Sequence, residues 1–560
     1  MFSPRQGISD LPDICYRHGM HTVVISPGSR NAPLIFSFTN HANMECLSIA
    51  DERSAAYFAL GLALVTHQPV GLICTSGTAA LNYAPAIAEA YYQNIPLVVI
   101  TADRPSEWID QADGQTIRQS ELYRNFIKQS FNLPVDTASS SDFWYFTRSV
   151  NEAMNAAVHE PSGPVHLNIP LSEPLYTPLP KPSSDIHVIQ NISVPQLLTD
   201  EAIEALLVRW NSSSKKMIIC GADVADESRF RALTLLSANP SVVIVAENLS
   251  NIHGEMVISS PERFFALLTE EEASAFRPDL LITVGHSIVS GRLKKYLRQH
   301  TPLEHWHIQP SPSHVDTFQC LTQSIVASSG LLLRSLVERE AKISSYYRDL
   351  VLTREMHLRN KHRELVEGFP YSDLTVFGAI MARIPDDCNL HLANSTPIRY
   401  SQLFRSRADV TYHCNRGTSG IDGCISTAAG ASVASTKTTL LISGDVSFVY
   451  DSNGLWNKHL KGNFKIIVIN NGGGNIFRLI DTGKDENPAR EFFETPHSVN
   501  IKHLAEAYGA NHYLCHSHEE LAASLNWLFA PADRPSILEI VTDFEVNTTV
   551  FKDYYKQIHL

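Results

Sequence analysis

The sequence predicts an α/β protein of three domains, each a parallel sheet flanked by helices, with the first and third domains related by duplication. Three observations carry this expectation. The 560 residues correspond to three or four domains at roughly 150 residues each. Short β-branched and aliphatic runs alternate with helical stretches along the whole chain, as in sheets whose strands are joined by crossover helices. Landmarks of the first third also recur in the last third at nearly constant offset. Ile25 and Leu392 lie 367 positions apart, Gly61 and Gly430 369, Gly77 and Gly444 367, and Thr101 and Asn470 369.

The first domain is expected over 1–180. A strand at His21–Ser26 runs into PGSRNAPL, a helix ends near Gly61, and strands precede Ser76-Gly77 and occupy Leu97–Thr101. Pro174, Pro178, Pro180 and Pro182 with Ser183 and Ser184 then read as an exposed linker. The central domain, 187–345, has expected strands at Lys216–Cys220, Val242–Ala246, Leu280–Val284 and His305–Ile308. A charged helical run from Tyr346 to Glu367 stops at Gly368-Phe369-Pro370 and opens the third domain, 365–560. There Leu390–Ala393 leads into NSTPIRYSQL, a helix ends near Gly430, and strands are expected at Leu440–Ser443 and Lys465–Ile469.

Composition narrows the partners. At 44% hydrophobic and 18% charged, the chain has material for several cores. A formal net charge of −13 argues against a nucleic-acid partner unless basic residues are strongly local. Full protonation of the 24 histidines would outweigh that charge at low pH, a matter of solubility more than function. Nine cysteines without a CxxC pair indicate neither a disulfide framework nor a zinc knuckle. Met1-Phe2-Ser3-Pro4-Arg5 lacks the basic-then-apolar run of a signal peptide. The best apolar stretch, Ile95 to Ala102, has the length of a buried strand. A soluble cytoplasmic protein without membrane insertion is expected.

In open parallel sheets ligands gather beyond the carboxyl ends of the strands. One such end carries Gly444-Asp445-Val446-Ser447-Phe448 and the next carries Asn470-Asn471-Gly472-Gly473-Gly474-Asn475. Gly444 to Asn471 spans 28 residues, which suits a strand–helix–strand crossover with both ends side by side. Asp445 and Asn471 would then offer hard oxygen ligands to one cation, with the Gly473 carbonyl as a third. Positions would remain for diphosphate oxygens and water around octahedral Mg²⁺. Gly444 and the glycine triplet would let the backbone approach a phosphate. Either piece alone reads equally as a turn after a strand; the pairing at crossover spacing favours the diphosphate site.

The pattern resembles the motif of thiamin-diphosphate enzymes, a GDG followed by NN, with Val446 standing in for the last glycine. SPGSRNAPL at 26–34, DERSAAYFALGLA at 51–63, TSGTAALN at 75–82 and NRGTSGIDG at 415–423 narrow the likeness. Over its whole length the chain resembles the family of SEPHCHC synthases (SEPHCHC being 2-succinyl-5-enolpyruvyl-6-hydroxy-3-cyclohexene-1-carboxylate) of menaquinone and phylloquinone biosynthesis. The resemblance implies a thiamin-diphosphate-binding fold with pyrimidine-binding, central and diphosphate-binding domains. It implies thiamin diphosphate and Mg²⁺, or Mn²⁺, as cofactors. It also implies decarboxylation of 2-oxoglutarate and 1,4-addition of the resulting carbanion to isochorismate, with release of CO₂. A cofactor bridging the two domain copies across a subunit boundary implies a homodimer at least, with a homotetramer also compatible.

Site residues follow from the same likeness. Glu52 is the carboxylate expected beside the aminopyrimidine, while Asp51 next to it also suits a helix N-terminus. Gly444, Asp445, Ser447 and Asn471 are cofactor residues, and Ile421, Ile476 and Phe477 form its apolar support, where ordinary core packing explains them equally well. Both substrates are dicarboxylates, which calls for cations with fork geometry. The candidates are Arg30, Arg104, Arg399 and Arg416, with Arg292 and Lys294 as a basic pair whose register stays open. Ser29, Gln115, Asn394 and Ser395 are polar helpers, and Glu52, Gln115, Ser395 and Arg399 are expected to act in catalysis. An acetolactate-synthase-like decarboxylase or carboligase would explain the cofactor motif but not the motif arginines. An idle binding relative would not need Glu52, Asp445 and Asn471 intact. A nucleotide-binding central domain would need a GxGxxG loop, which Ile219-Cys220-Gly221-Ala222-Asp223 lacks.

Overall fold

The computed structural model describes residues 3–192, 198–341, 343–479 and 490–559. The first sheet is built from β1 (Thr22–Ile25), β2 (Glu45–Ser48), β3 (Val70–Cys74), β4 (Leu97–Asp103), β5 (Gln129–Asn132) and β6 (Val165–Pro170). The second comprises β7 (Lys216–Cys220), β8 (Val242–Ala246), β9 (Val257–Ile258), β10 (Leu280–Val284), β11 (Glu304–Gln309) and β12 (Gln323–Val326). The third comprises β13 (Cys388–Leu392), β14 (Val410–His413), β15 (Thr439–Gly444), β16 (Phe464–Asn470), β17 (Asn511–Cys515) and β18 (Ser536–Val541). Every pairing is parallel. Central strands such as β4 and β7 are buried at every residue, because helices cover both faces of a parallel sheet.

The strand orders carry the internal relationship. The first sheet runs β2-β1-β3-β4-β6-β5 and the third β14-β13-β15-β16-β18-β17, the same permutation of six. The second runs β12-β11-β10-β7-β8-β9, a doubly wound order that reverses between β7 and β10. At that reversal the residues that end β7 and β10 or directly follow them are bonded to each other through backbone. Gly221 donates to the Val284 carbonyl at 2.9 Å and His286 to the Ala222 carbonyl at 2.9 Å. A Cβ on Gly221 would lie 2.4 Å from the His286 oxygen.

Two expectations about helices need correction. Gly61 and Gly430 were expected near helix ends, yet they sit inside helices Glu52–Thr66 and Cys424–Ala434. The reason is packing. These two helices, rich in alanine and serine, cross at close range and bring the first and third sheets together. A Cβ on Gly61 would lie 1.9 Å from the Thr427 carbonyl oxygen, and one on Gly430 1.9 Å from that of Phe58. The paired glycines mark the crossing point, related as the two sheets are.

The proline-rich stretch after β6 is largely exposed but tethered. Asp10 accepts the Ser183 N–H at 2.8 Å and Gln6 donates to the Lys181 carbonyl at 3.0 Å, while just beyond the prolines Asn151 and Asn155 of helix Ser140–Val158 donate to the carbonyls of His187 and Ile189, at 3.1 and 2.6 Å. Among the described residues no helix is long and apolar enough to cross a membrane.

Candidate active site

Gly444 ends β15 and Asn470 ends the adjacent β16, with Gly444 paired to Ile469. Asp445 opens the short helix Asp445–Tyr450 and is buried. Its Oδ1 accepts the Val446 N–H at 2.7 Å, and its Oδ2 accepts those of Gly472 and Gly473 at 2.8 and 2.9 Å. The carboxylate thus draws the glycine run across the strand ends. Gly473, at φ 152°, could not carry a side chain, since a Cβ would meet the Glu494 carbonyl at 2.5 Å. Gly444 is different: its φ is ordinary and a Cβ would meet nothing within 4 Å.

Asn471 supplies the test of cation fit. Its Nδ2 donates to Asp373 Oδ2 at 3.1 Å, which fixes the amide orientation. Its Oδ1 is buried and, among the described residues, has no hydrogen-bond partner. A buried amide oxygen without a donor is costly unless something electropositive meets it. Asp445, the Asn471 oxygen and the Gly473 carbonyl are all hard oxygen donors, and this donor set fits Mg²⁺ or Mn²⁺. Asp373 is itself fully buried and takes a 2.6 Å bond from Thr542 Oγ1. Burial raises its carboxyl to about 6.

Asp51 and Glu52 divide their roles cleanly. Asp51 caps helix Glu52–Thr66 by accepting the Ser54 N–H at 3.2 Å, and its other oxygen accepts Asn453 Nδ2 at 2.8 Å. Glu52, the first residue of the helix, faces a cleft with Gly28, Ser76, Gly77 and Gln115. Burial raises its pKa, with a contribution from neighbouring Asp51. Gln115 is exposed and left-handed at φ 56°, packed against Gly77. The described residues lining this cleft come from the loops and helix starts that follow strands of the first sheet.

The basic residues form two groups. Arg30 is buried, donates to the Leu171 carbonyl at 2.9 Å and faces Arg104, Glu173 and Asp113. Arg104 pairs with Asp113 at 2.7 Å, and Ser29 is exposed beside them. The second group joins the central and third sheets. Arg399 donates to the Ser395 carbonyl at 2.8 Å, and Arg416 to Asn394 Oδ1 at 3.1 Å. Burial and the neighbouring Arg416 cation both lower the Arg399 pKa. Lys294 is lowered by burial and faces the same Arg416. Ser395, at φ 76°, holds the turn into helix Thr396–Ser401. Arg292 is committed elsewhere, 3.1 Å from Glu262 and stacked 4.1 Å over the Tyr555 ring. Of the open pair, Lys294 is therefore the one turned toward the arginines.

The apolar candidates are divided too. The Ile421 carbonyl accepts Ser447 Oγ at 3.0 Å, which ties the NRGTSGIDG loop to the Asp445 turn. Ile476 is buried, and Phe477 packs on Phe493 with ring centroids 5.6 Å apart.

Several positioning residues escaped the sequence reading. Asp373 orients Asn471. His497 lies 3.4 Å from Asp445. Gln119 accepts the Gly77 N–H at 2.8 Å and donates to Ala102, fixing the TSG loop. Glu89, wholly buried, accepts the N–H groups of Gly417 and Thr418 at 2.7 Å each and so holds the Arg416 loop from the first sheet. Glu247 accepts those of Val289 and Ser290 at 2.6 Å each, at the start of the helix carrying Lys294. Burial pushes its carboxyl up to about 7. For Glu89 and Glu247 the sequence signal is a lone acidic residue in or at the end of an apolar run, as in APAIAEAYY; Asp373, Gln119 and His497 lie in polar segments and carry no such signal.

Comparison with known proteins gives the class. Residues 6–122 match the family model of the thiamine pyrophosphate enzyme N-terminal TPP-binding domain, and 395–540 that of the C-terminal TPP-binding domain. An X-ray structure described as a thiamin diphosphate-dependent enzyme from Mycobacterium smegmatis superposes with a TM-score of 0.72. It is 18% identical and covers 96% of this chain and 99% of that one, a likeness of fold. The protein is an enzyme of the thiamin-diphosphate-dependent class. The relative from Porphyromonas gingivalis, a 2-succinyl-5-enolpyruvyl-6-hydroxy-3-cyclohexene-1-carboxylate synthase, is 41% identical over 100% of this chain and 98% of its own. Relatives of the same name from Flavobacterium psychrophilum and Bacteroides thetaiotaomicron are 39% and 38% identical, covering 98% and 100% of both chains. The chain belongs to the SEPHCHC synthase family.

Proposed function

We propose that this enzyme decarboxylates 2-oxoglutarate and joins the remaining four-carbon unit to isochorismate by 1,4-addition, giving SEPHCHC and CO₂ on the route to menaquinone or phylloquinone. Family membership supports the reaction. The structural observation that supports it is the set Arg399, Arg416 and Lys294, where burial and then the nearby Arg416 charge lower the pKa of the other two, cations being the residue type that two dicarboxylates call for.

Thiamin diphosphate, when bound, supplies the carbon nucleophile and electron sink. The chain supplies the rest. Asp445, Asn471 and the Gly473 carbonyl would hold Mg²⁺, or Mn²⁺, and Gly444 and Ser447 the diphosphate. Glu52 would hold and move a proton at its carboxyl, whose raised pKa suits general acid–base work. Ile421, Ile476 and Phe477 would support the cofactor rings. Arg399 and Arg416 would clamp substrate carboxylates, with Lys294, Arg30 and Arg104 adding positive potential and Ser29, Gln115, Asn394 and Ser395 hydrogen bonds, while Arg292, paired with Glu262, would support the segment that carries Lys294. Among these Arg399, Ser395 and Gln115 are read as acting at the reacting carbons with Glu52.

The three segments 1–180, 187–345 and 365–560 then serve as pyrimidine-binding, central and diphosphate-binding domains. Among the described residues, the Glu52 cleft is lined by none of the Asp445–Asn471 site of the same chain, which supports a homodimer at least, or a homotetramer, with each site completed by a second copy. A cytoplasmic enzyme acting on small molecules fits this reading.

One assay tests it: protein, thiamin diphosphate, Mg²⁺, 2-oxoglutarate and isochorismate, with CO₂ and product followed by mass spectrometry. Product at the mass of SEPHCHC is expected. Turnover of pyruvate but not 2-oxoglutarate would instead identify an acetolactate-synthase-like carboligase.

A further inference from the structure

His305, Asp316 and Cys320 lie on one side of the central sheet, each offering a ligand atom within 4.8 Å of the other two. His305 is on β11, and the loop 316–322 folds back onto it. Thr322 N donates to the His305 carbonyl at 2.9 Å, and His305 N to Thr322 Oγ1 at 3.0 Å. Asp316 Oδ1 accepts the N–H groups of Cys320 and Leu321 at 2.8 and 3.0 Å, which leaves its second oxygen for another partner. Cys320 is half-buried, and its Sγ is 3.6 Å from His305 Nδ1.

A chain of hydrogen bonds decides what that Nδ1 carries. Gln309 Nε2 donates to the Ser313 carbonyl, so its Oε1 is the atom 3.1 Å from His307 Nε2. An amide oxygen only accepts, so His307 carries its proton on Nε2 and its Nδ1 is a lone pair. That Nδ1 lies 2.8 Å from Thr283 Oγ1 and takes the hydroxyl proton. The other acceptor for that proton, the Trp306 carbonyl, is more distant at 3.5 Å. Thr283 Oγ1 must then accept from His305 Nε2, 2.9 Å away. In the neutral ring, Nδ1 of His305 is left as a lone pair facing Cys320. Histidines that ligate metals are held in this way, the second ring nitrogen donating to an oriented acceptor.

We propose that His305, Asp316 and Cys320 form a binding site for one divalent cation of borderline softness, Zn²⁺ being the best match. Nitrogen, thiolate and carboxylate with one open position make a tetrahedral zinc set. Bonds of about 2.0 and 2.3 Å at a tetrahedral angle put nitrogen and sulfur about 3.5 Å apart, against 3.6 Å here. The ion staples the loop 316–322 to β11, and the thiol proton leaves to solvent on binding. Val315 and Thr317 beside Asp316 line a cavity between the three sheets, together with His307, Gln309 and Arg416, so the staple shapes one wall of it. The site is independent of the catalytic reading.

The test uses holoenzyme saturated with Mg²⁺ and thiamin diphosphate, cleared of other metals on a chelating resin, then titrated with Co²⁺ and Zn²⁺. One Co²⁺ per chain is expected, with a sulfur-to-cobalt charge-transfer band in the near ultraviolet, displaced by one equivalent of Zn²⁺. Cys320→Ser should abolish the band and weaken Zn²⁺ binding at least about tenfold, while Asp316→Asn keeps the band with weaker binding. Zn²⁺ should raise the Tm of the wild type and not that of Cys320→Ser. Co²⁺ that binds without the band, or equally in wild type and Cys320→Ser, overturns the proposal, as does the absence of stoichiometric binding. If Cys320→Ser does not fold, the wild-type band and its response to Asp316→Asn decide.

Discussion

The Asp373 carboxylate accepts the Asn471 amide N–H at 3.1 Å, and that bond leaves the Asn471 oxygen as the end without a partner among the described residues. Through this orientation Asp373 would act on the proposed cation. Asp373→Ala should raise the Kd for Mg²⁺ in the presence of thiamin diphosphate about 10–100-fold. Asp373→Asn, which keeps an acceptor oxygen, should cost less. A magnesium titration of the apoenzyme, read by cofactor binding, checks both; unchanged affinity in Asp373→Ala would show that Asn471 needs no such support.

Glu52→Gln keeps the shape of the cleft and removes its ionisable group. The variant should bind thiamin diphosphate and lose about 10²–10⁴-fold in kcat. Near-normal turnover would assign the acid–base role elsewhere, with Asp51 already spent on its cap and on Asn453.

Two glycines separate fold from ligand. Gly61→Ala pushes a methyl against the Thr427 backbone and should destabilise by about 1–3 kcal/mol or more, seen as a lowered Tm. Gly444→Ala meets open space, so the Tm of the apoenzyme should not move. Its cofactor affinity should fall, because the diphosphate would occupy that space. A Gly444→Ala variant with wild-type cofactor binding would remove the phosphate from this turn.

Arg399→Ala and Arg416→Ala should each raise KM for the dicarboxylates about 10–100-fold, the loss of one charge-assisted hydrogen bond of about 1.5–3 kcal/mol. Arg292→Ala should act mainly on stability, since its guanidinium already serves Glu262 and Tyr555. Steady-state kinetics on the three variants separates these roles.

Buried histidines set the acid limit. Burial lowers His166 and His362 to about 3 each. Their neutral rings bond Thr101 Oγ1 at 2.7 Å and Tyr554 Oη at 2.9 Å. The unfolded chain takes up these protons near pH 6.5 and the folded chain does not. The stability they confer is thus complete above pH 6.5 and falls as pH drops toward 3, by about 1.4 kcal/mol per pH unit for each ring. Denaturant unfolding at pH 7, 6, 5 and 4 should show this slope, reduced by about two protons in His166→Gln/His362→Gln. An unchanged slope in the double variant would place the acid sensitivity on other groups.

Strand positions were readable because a parallel strand buried on both faces must be apolar throughout. β7, β8 and β10 begin and end where the sequence implied. The nearly constant offset of landmarks such as Gly77 and Gly444 was readable because the two sheets share both strand order and similar segment lengths. Gly61 and Gly430 are not legible in this way, because a glycine at a helix end and one at a helix crossing look alike in sequence. Only the partner helix distinguishes them.

The sequence by itself determined the class of fold, the repeated landmarks and the residue types a diphosphate, a cation and two dicarboxylates require. Those are local properties, carried by apolar runs and by motifs of a few residues. The tertiary structure alone decided which of two equivalent groups does what. Asp51 is a cap and Glu52 faces the cleft; Arg292 is neutralised and Lys294 meets Arg416. It also brought in Asp373, Glu89 and Glu247, whose partners are distant in sequence. A buried polar group must find its partner wherever the fold supplies one, and sequence spacing carries no record of where that is.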